Sequence, residues 1–171
     1  MKEVIKVSIK RAEEAIIGYT ESALARSEDN DCVVRAMAAA TEVTYDEAHS
    51  FVAEKFGRKP KKGTYSFNYT LDKLKREGKV LGKTFTKIGD RMSEHLAGED
   101  YIQPATYYVN DGVLVKRQMT FKTFVKQYPK GTYLLTVRGH AFSIKDGVVV
   151  GGNYTDVTQL KKRIESAYQI D

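Results

Sequence analysis

Apolar and polar positions alternate in EVIKVSI at residues 3–9, a period of two that predicts a short strand. Residues 9–25, IKRAEEAIIGYTESALA, turn to Ala and Glu and predict a helix, interrupted by Gly18. SEDND at 27–31 gathers acidic and capping residues, so a helix is expected at or just before Cys32, in CVVRAMAAA. TYDE at 44–47 has the form of a capping box and opens a helix that runs to about Phe56 and stops at Gly57. Its apolar stripe is Ala48, Phe51, Val52 and Phe56.

Thr70 is placed to cap a short helix, LDKLKREG, ending at Gly78, and KVLGKTFTKIG at 79–89 reads as strand or loop. RMSEHLAG at 91–98 suggests another turn or two of helix. ATYYVNDGVLVKRQ, 105–118, is a hairpin about Asp111-Gly112, and TFKTFVKQYPKG is a short helix stopped by Pro129 and Gly131. TYLLTVRGHAFSIKDGVVVGGN, 132–153, folds apolar runs about Asp146-Gly147. The last segment, DVTQLKKRIESAYQI at 156–170, carries Leu160, Ile164 and Tyr168 at helical spacing and reads as an amphipathic helix capped by Asp156. With helices first and strands later, the expected class is α+β, with N-terminal helices packed on a C-terminal antiparallel sheet.

A chain of 171 residues with 42% hydrophobic content suits a single domain over 1–171. No apolar run reaches the roughly 18 residues of a membrane helix, and the first residues carry no signal-peptide pattern, so the expectation is a soluble cytoplasmic protein without a membrane partner. The single cysteine, Cys32, leaves no intramolecular disulfide and no multi-cysteine zinc site, and neither a metal nor a cofactor is expected. Charge is uneven: residues 55–87 hold eleven Lys or Arg against Asp72 and Glu77, a local balance of +9. With Tyr65, Phe67 and Tyr69 interleaved, that segment has the makings of a nucleic-acid surface. The same three aromatics alternate as one face of a short strand packed on a core would, so nucleic acid is not the favoured partner.

Chemistry centres on Cys32. A thiol in the first turn of a helix meets free backbone N–H groups and the positive end of the helix dipole, which favour thiolate. Asp29 and Asp31 oppose this, so a nearby imidazolium is required. The plainer reading is a small buried hydrophobe. Of three histidines, His49 falls on the polar side of the 45–56 helix and His95 in an ordinary helical turn, whereas His140 follows Gly139 and opens an apolar strand. Glycine there admits a close approach by substrate, or simply bends the chain into the strand. If Asp146-Gly147 is a two-residue turn, Lys145 faces Val148, paired numbers sum to 293, and His140 faces Asn153. Cross-strand neighbours lie about 4.5–5.5 Å apart at Cβ, close enough for an amide to orient an imidazole.

Cysteine at a helix start, then histidine and Asn or Asp on neighbouring strands, is the order found in papain-like cysteine peptidases. NDCVVRAMAAATEVTYDEAH, FGRKPKKGT and FVKQYPKGTYLLTVRGHAFSIKDGVVVGG resemble the small cysteine-peptidase-like proteins of bacteriophage and bacterial genomes, over about residues 32–153. The resemblance implies a papain-like fold, with Cys32 as nucleophile, His140 as general base and then acid, and Asn153 or Asp156 orienting the histidine. The glutamine that serves the oxyanion hole in that family is missing from RSEDND at 26–31; Asn30 is the nearest side-chain amide, and it is equally placed to cap the helix. The expected function is a thiol hydrolase acting on a peptide, isopeptide or related amide of a peptide or protein substrate, in the cytoplasm of a bacterial host if phage-encoded. An acyl transferase differs only in what accepts the acyl group. The alternative is a non-catalytic module on a degenerate peptidase fold, binding nucleic acid or an acidic host protein through 55–87.

Overall fold

A computed structural model describes residues 8–91, 102–151 and 161–171. The chain is a mixture of helices and strands, and its centre is a six-stranded mixed sheet. The elements run β1 (Ser8–Lys10), α1 (Ala12–Ala15), α2 (Ala23–Ser27), α3 (Cys32–Thr41), α4 (Tyr45–Phe56), α5 (Phe67–Glu77), β2 (Phe85–Lys87) and β3 (Asp90–Arg91). They continue with β4 (Ile102–Gln103), β5 (Ala105–Asn110), β6 (Val113–Gln118), α6 (Phe121–Gln127), β7 (Thr132–Val137), β8 (His140–Lys145), β9 (Val148–Val150) and β10 (Ile164–Ile170). The main sheet has the order β1-β9-β8-β7-β10-β2; β3 pairs with β4, and β5 with β6, in two small ladders.

Local chemistry sets most boundaries. Thr44 caps α4, its hydroxyl accepting the Glu47 N–H at 3.1 Å, and Gly57 ends the helix in the left-handed conformation at φ 68°. Both Asp-Gly pairs form hairpin turns with positive φ at each residue, 49° and 75° at Asp111-Gly112, 47° and 79° at Asp146-Gly147. The second turn pairs Lys145 with Val148, Ile144 with Val149 and Ser143 with Val150, so every described pair sums to 293.

Four expectations are corrected. The helix over 9–25 is two short pieces, α1 and α2, with Gly18 between them at φ 73°. Tyr65, Phe67 and Tyr69 form no strand: α5 begins at Phe67 rather than after Thr70, Phe67 is buried, and the two tyrosines are exposed. The predicted C-terminal helix is in its last seven residues strand β10, lying between β7 and β2. A register shift between Ile164 and Ser166 turns Ile164 and Ala167 to one core and Tyr168 and Ile170 to the other. Lastly, the sheet is not purely antiparallel, because β1 runs parallel to β9. The helical turn expected at 91–98, with His95, lies outside the described residues apart from Arg91, which is in β3.

Hydrophobic residues cover both faces of the sheet. One face carries α3 and α4, with Val34, Met37, Tyr45, Ala48 and Val52 fully buried against Leu134, Ala141 and Tyr168. The other carries α6, whose Phe121 and Phe124 pack on Tyr133, Leu135, Phe142 and Ile144. The alanine-rich α3 lies close to the sheet, and Gly151, just past β9, leaves little room beside it: at φ 77°, a Cβ there would meet Ile16 at 3.2 Å and Ala39 of α3 at 3.3 Å. Among the described residues no helix is long and apolar enough to cross a membrane.

Candidate active site

Cys32 is the first residue of α3 and is half-buried. The N-cap is Asp31, not Asn30, and the Asp31 side chain makes no capping bond to the helix. It is turned instead to Arg35, with its Oδ1 3.2 Å from Nε, and to Tyr45, whose hydroxyl donates to Oδ2 at 2.7 Å. Burial and that bond to Asp31 push the Tyr45 phenol well above its ordinary range, so it remains a donor. Two consequences follow for the thiol. The first-turn N–H groups are left without a carboxylate cap, and the negative charge of Asp31 is answered by Arg35.

His140 opens β8 directly after the two-residue turn Arg138-Gly139, which links the pair Val137 and His140. Gly139 takes φ 73°, and a Cβ on it would meet nothing within 4 Å, so turn geometry rather than close approach accounts for the glycine. Along β8, Ala141 lies with the α3 core, whereas His140 has the parity of Phe142 and Ile144; its ring stacks on Phe142 at 5.9 Å with planes 17° apart. At this end of the strand the imidazole nevertheless borders the same hollows as Cys32. One is an open cavity of about 690 Å³ whose walls include Cys32, Arg35, Tyr65, Asn68, Tyr69 and His140. The other is a small void bounded by Cys32, Arg35, His140, Phe142 and Gly151. Burial, reinforced by the positive charges of Arg35 and Lys162, pulls the imidazole down from 6.5 to about 4, so at neutral pH His140 is a neutral base. The imidazolium expected to support the thiolate is therefore not the resting form.

Asn30 also lines the open cavity, but its Nδ2 donates to the Lys61 carbonyl at 3.1 Å. It ties two loops together instead of capping the helix. Asn153 and Asp156, the expected orienting residues, lie outside the described residues. His49 sits on α4, half-buried, with Nε2 3.7 Å from Glu28 and away from Cys32's cavity. Among the described residues no three metal-ligating side chains come together.

Two contributors escaped the sequence reading. Arg35 lies three residues after Cys32 and four after Asp31, a helical spacing that places all three on one side of α3, so that signal was present. Asn68 had none: on the cavity wall it accepts from Ser166 at 2.7 Å and donates to Thr136 at 3.3 Å, closing a polar ring that joins α5, β7 and β10. No family model, curated protein or solved structure matches the chain.

Proposed function

We propose that the protein is a thiol hydrolase of papain-like type, cleaving a peptide, isopeptide or related amide bond. The observation that carries this reading is the pairing of a cysteine at an uncapped helix N-terminus with a neutral histidine on the wall of one open cavity. His140 takes the thiol proton as the Cys32 sulfur bonds to the scissile carbonyl carbon, whose oxygen becomes an oxyanion. The N–H groups at the start of α3 are the donors best placed for it, since the Asn30 amide is already engaged with Lys61. The protonated His140 then gives its proton to the departing amine as the C–N bond breaks, leaving a thioester. Water attacks that thioester while His140 accepts its proton, and the sulfur leaves and is reprotonated.

Intact-mass measurement after reaction with electrophilic peptide, ubiquitin-like and peptidoglycan-fragment probes tests the reading. The wild type is expected to gain one probe, Cys32→Ser none, and His140→Ala to react far more slowly. A wild-type thiol that reacts with iodoacetamide only as an ordinary thiol near 8.5 ionises, with no dependence on His140, would refute it. Steeply salt-sensitive binding of DNA or RNA unaffected by Cys32→Ala would instead favour the non-catalytic module.

A further inference from the structure

Beside the open cavity is a second hollow of about 340 Å³, and the two share Gly63 and Tyr65 as a common wall. Its remaining lining includes Phe56, Arg58, Lys59 and Lys62. Arg58 supplies no charge to it, because the guanidinium is buried against Glu28 and also donates to the Asp29 carbonyl at 3.0 Å. The available cations are Lys59 and Lys62, both exposed and neither facing a carboxylate among the described residues.

These two lysines are held together by the backbone. Lys59, Pro60, Lys61 and Lys62 form a turn closed by the Lys62 N–H donating to the Lys59 carbonyl at 3.1 Å, which brings the first and last residues alongside each other. Proline suits its second position; the third requires positive φ, yet it is lysine, at φ 62°. That unfavourable choice is stabilised from the nucleophile's own loop. The Lys61 N–H donates to Glu28 at 3.3 Å and its carbonyl accepts from Asn30, two residues before Cys32. The turn, the Glu28–Arg58 pair and the start of α3 thus form one connected frame, and strain retained in such a frame is what a preorganised binding element exhibits.

Taking the hydrolase reading as its basis, we infer that this hollow is a subsite for an acidic side chain of the peptide substrate, with Lys59 and Lys62 facing the carboxylate and Phe56 and Tyr65 covering its methylenes. A peptide fits better than a nucleic acid. Within the basic segment Lys55, Arg58, Lys83 and Lys87 already face Glu54, Glu28, Glu42 and Asp72, and of the other seven cations the hollow's lining includes Lys59 and Lys62, a concave pair rather than a stripe matched to successive phosphates.

The test uses matched electrophilic tetrapeptides differing only by Glu, Gln or Lys at one position at a time, with labelling rates read by intact mass. At one position the Glu probe is expected to label wild type about tenfold faster than the Gln probe. In Lys59→Glu/Lys62→Glu that advantage disappears and the Lys probe gains, whereas iodoacetamide alkylation of Cys32 is unchanged. Lys73→Glu/Lys79→Glu, which makes the same charge change on residues lining neither hollow, keeps the Glu preference. Equal rates for all probes alongside normal iodoacetamide reactivity, or equal losses in both double variants, would overturn the subsite and leave the hydrolase intact. Should no probe label Cys32, the hydrolase reading fails, and fluorescence polarisation of a labelled Glu-rich peptide on Cys32→Ser protein decides the subsite. Binding that requires Lys59 and Lys62 sustains it; absence of binding, or tighter binding of an oligothymidylate of equal charge, refutes it.

Discussion

The Ser143 hydroxyl donates to the Ala36 carbonyl across 2.6 Å, a buried bond that joins the middle of β8 to the first turns of α3. Cys32 lies one turn before Ala36 and His140 three residues before Ser143, so this contact holds together the two elements that carry the proposed pair. Ser143→Ala is expected to cost about 1 kcal/mol in urea unfolding, the usual net value of such a bond, and to slow Cys32 alkylation as the two elements loosen. Unchanged stability and unchanged alkylation would mean that α3 is held on the sheet by apolar packing alone.

The depressed His140 gives a specific acid limb. Since the folded group accepts its proton only near pH 4, the rate of Cys32 acylation is expected to hold on acidification through pH 6 and to fall as the pH approaches 4. Stability follows the same group. Between about 6.5, where the unfolded chain binds the proton, and about 4, where the fold does, stability is lost as the pH is lowered and regained as it is raised; above 6.5 this histidine contributes no pH dependence. Titration of the imidazole by NMR, assigned with His140→Ala, checks both statements. Arg35→Gln should raise the His140 midpoint only partly, because burial is the larger cause and remains.

The Glu28–Arg58 pair fastens the Lys59–Lys62 turn to the loop before Cys32, with side chains 3% and 1% exposed. At that depth, removing one partner leaves an uncompensated charge, and Arg58→Met is expected to destabilise the protein by about 3–5 kcal/mol. The double variant Glu28→Gln/Arg58→Met should lose less than the two single changes together, and a double-mutant cycle in denaturant measures the difference. Additivity would place the two residues in independent roles.

Tyr168 tests the placement of the last strand. Its hydroxyl donates to Asp72 at 2.7 Å, and Asp72 also accepts from Lys87 at 2.9 Å, so β10, α5 and β2 meet at one buried carboxylate. Tyr168→Phe should cost about 1–3 kcal/mol, the value of a hydrogen bond to a charged group, without altering the denaturant slope. A substitution without effect would argue against the burial of this tyrosine beside Asp72.

The candidate site was legible in part, and the reasons are local. Cys32 begins a helix because the residues before it cannot continue one, and Arg35 shares its side of α3 by helical spacing alone. The neutrality of His140 was not legible, since it arises from burial and from the nearness of Arg35 and Lys162, which belong to distant segments. Nor was the role of Asn30, which is engaged by a turn 31 residues away.

What the sequence determined by itself was whatever short-range sterics and hydrogen bonding decide: the Asp-Gly turns, the register of β8 with β9, the Thr44 cap and the Gly57 stop. Tertiary structure decided the rest. Ile164 and Tyr168 stand four apart, the spacing of a helix face, and in the strand the bulge after Ile164 sends the two to opposite faces, so the pair carried no strand signal. Position between β7 and β2 selected the strand, and burial on both of its sides removed the alternation that would have announced it. Tyr65, Phe67 and Tyr69 show the converse: their alternation satisfied a strand pattern, yet only Phe67 found a core, while both tyrosines were left on the rim of the cavity that Cys32 and His140 share.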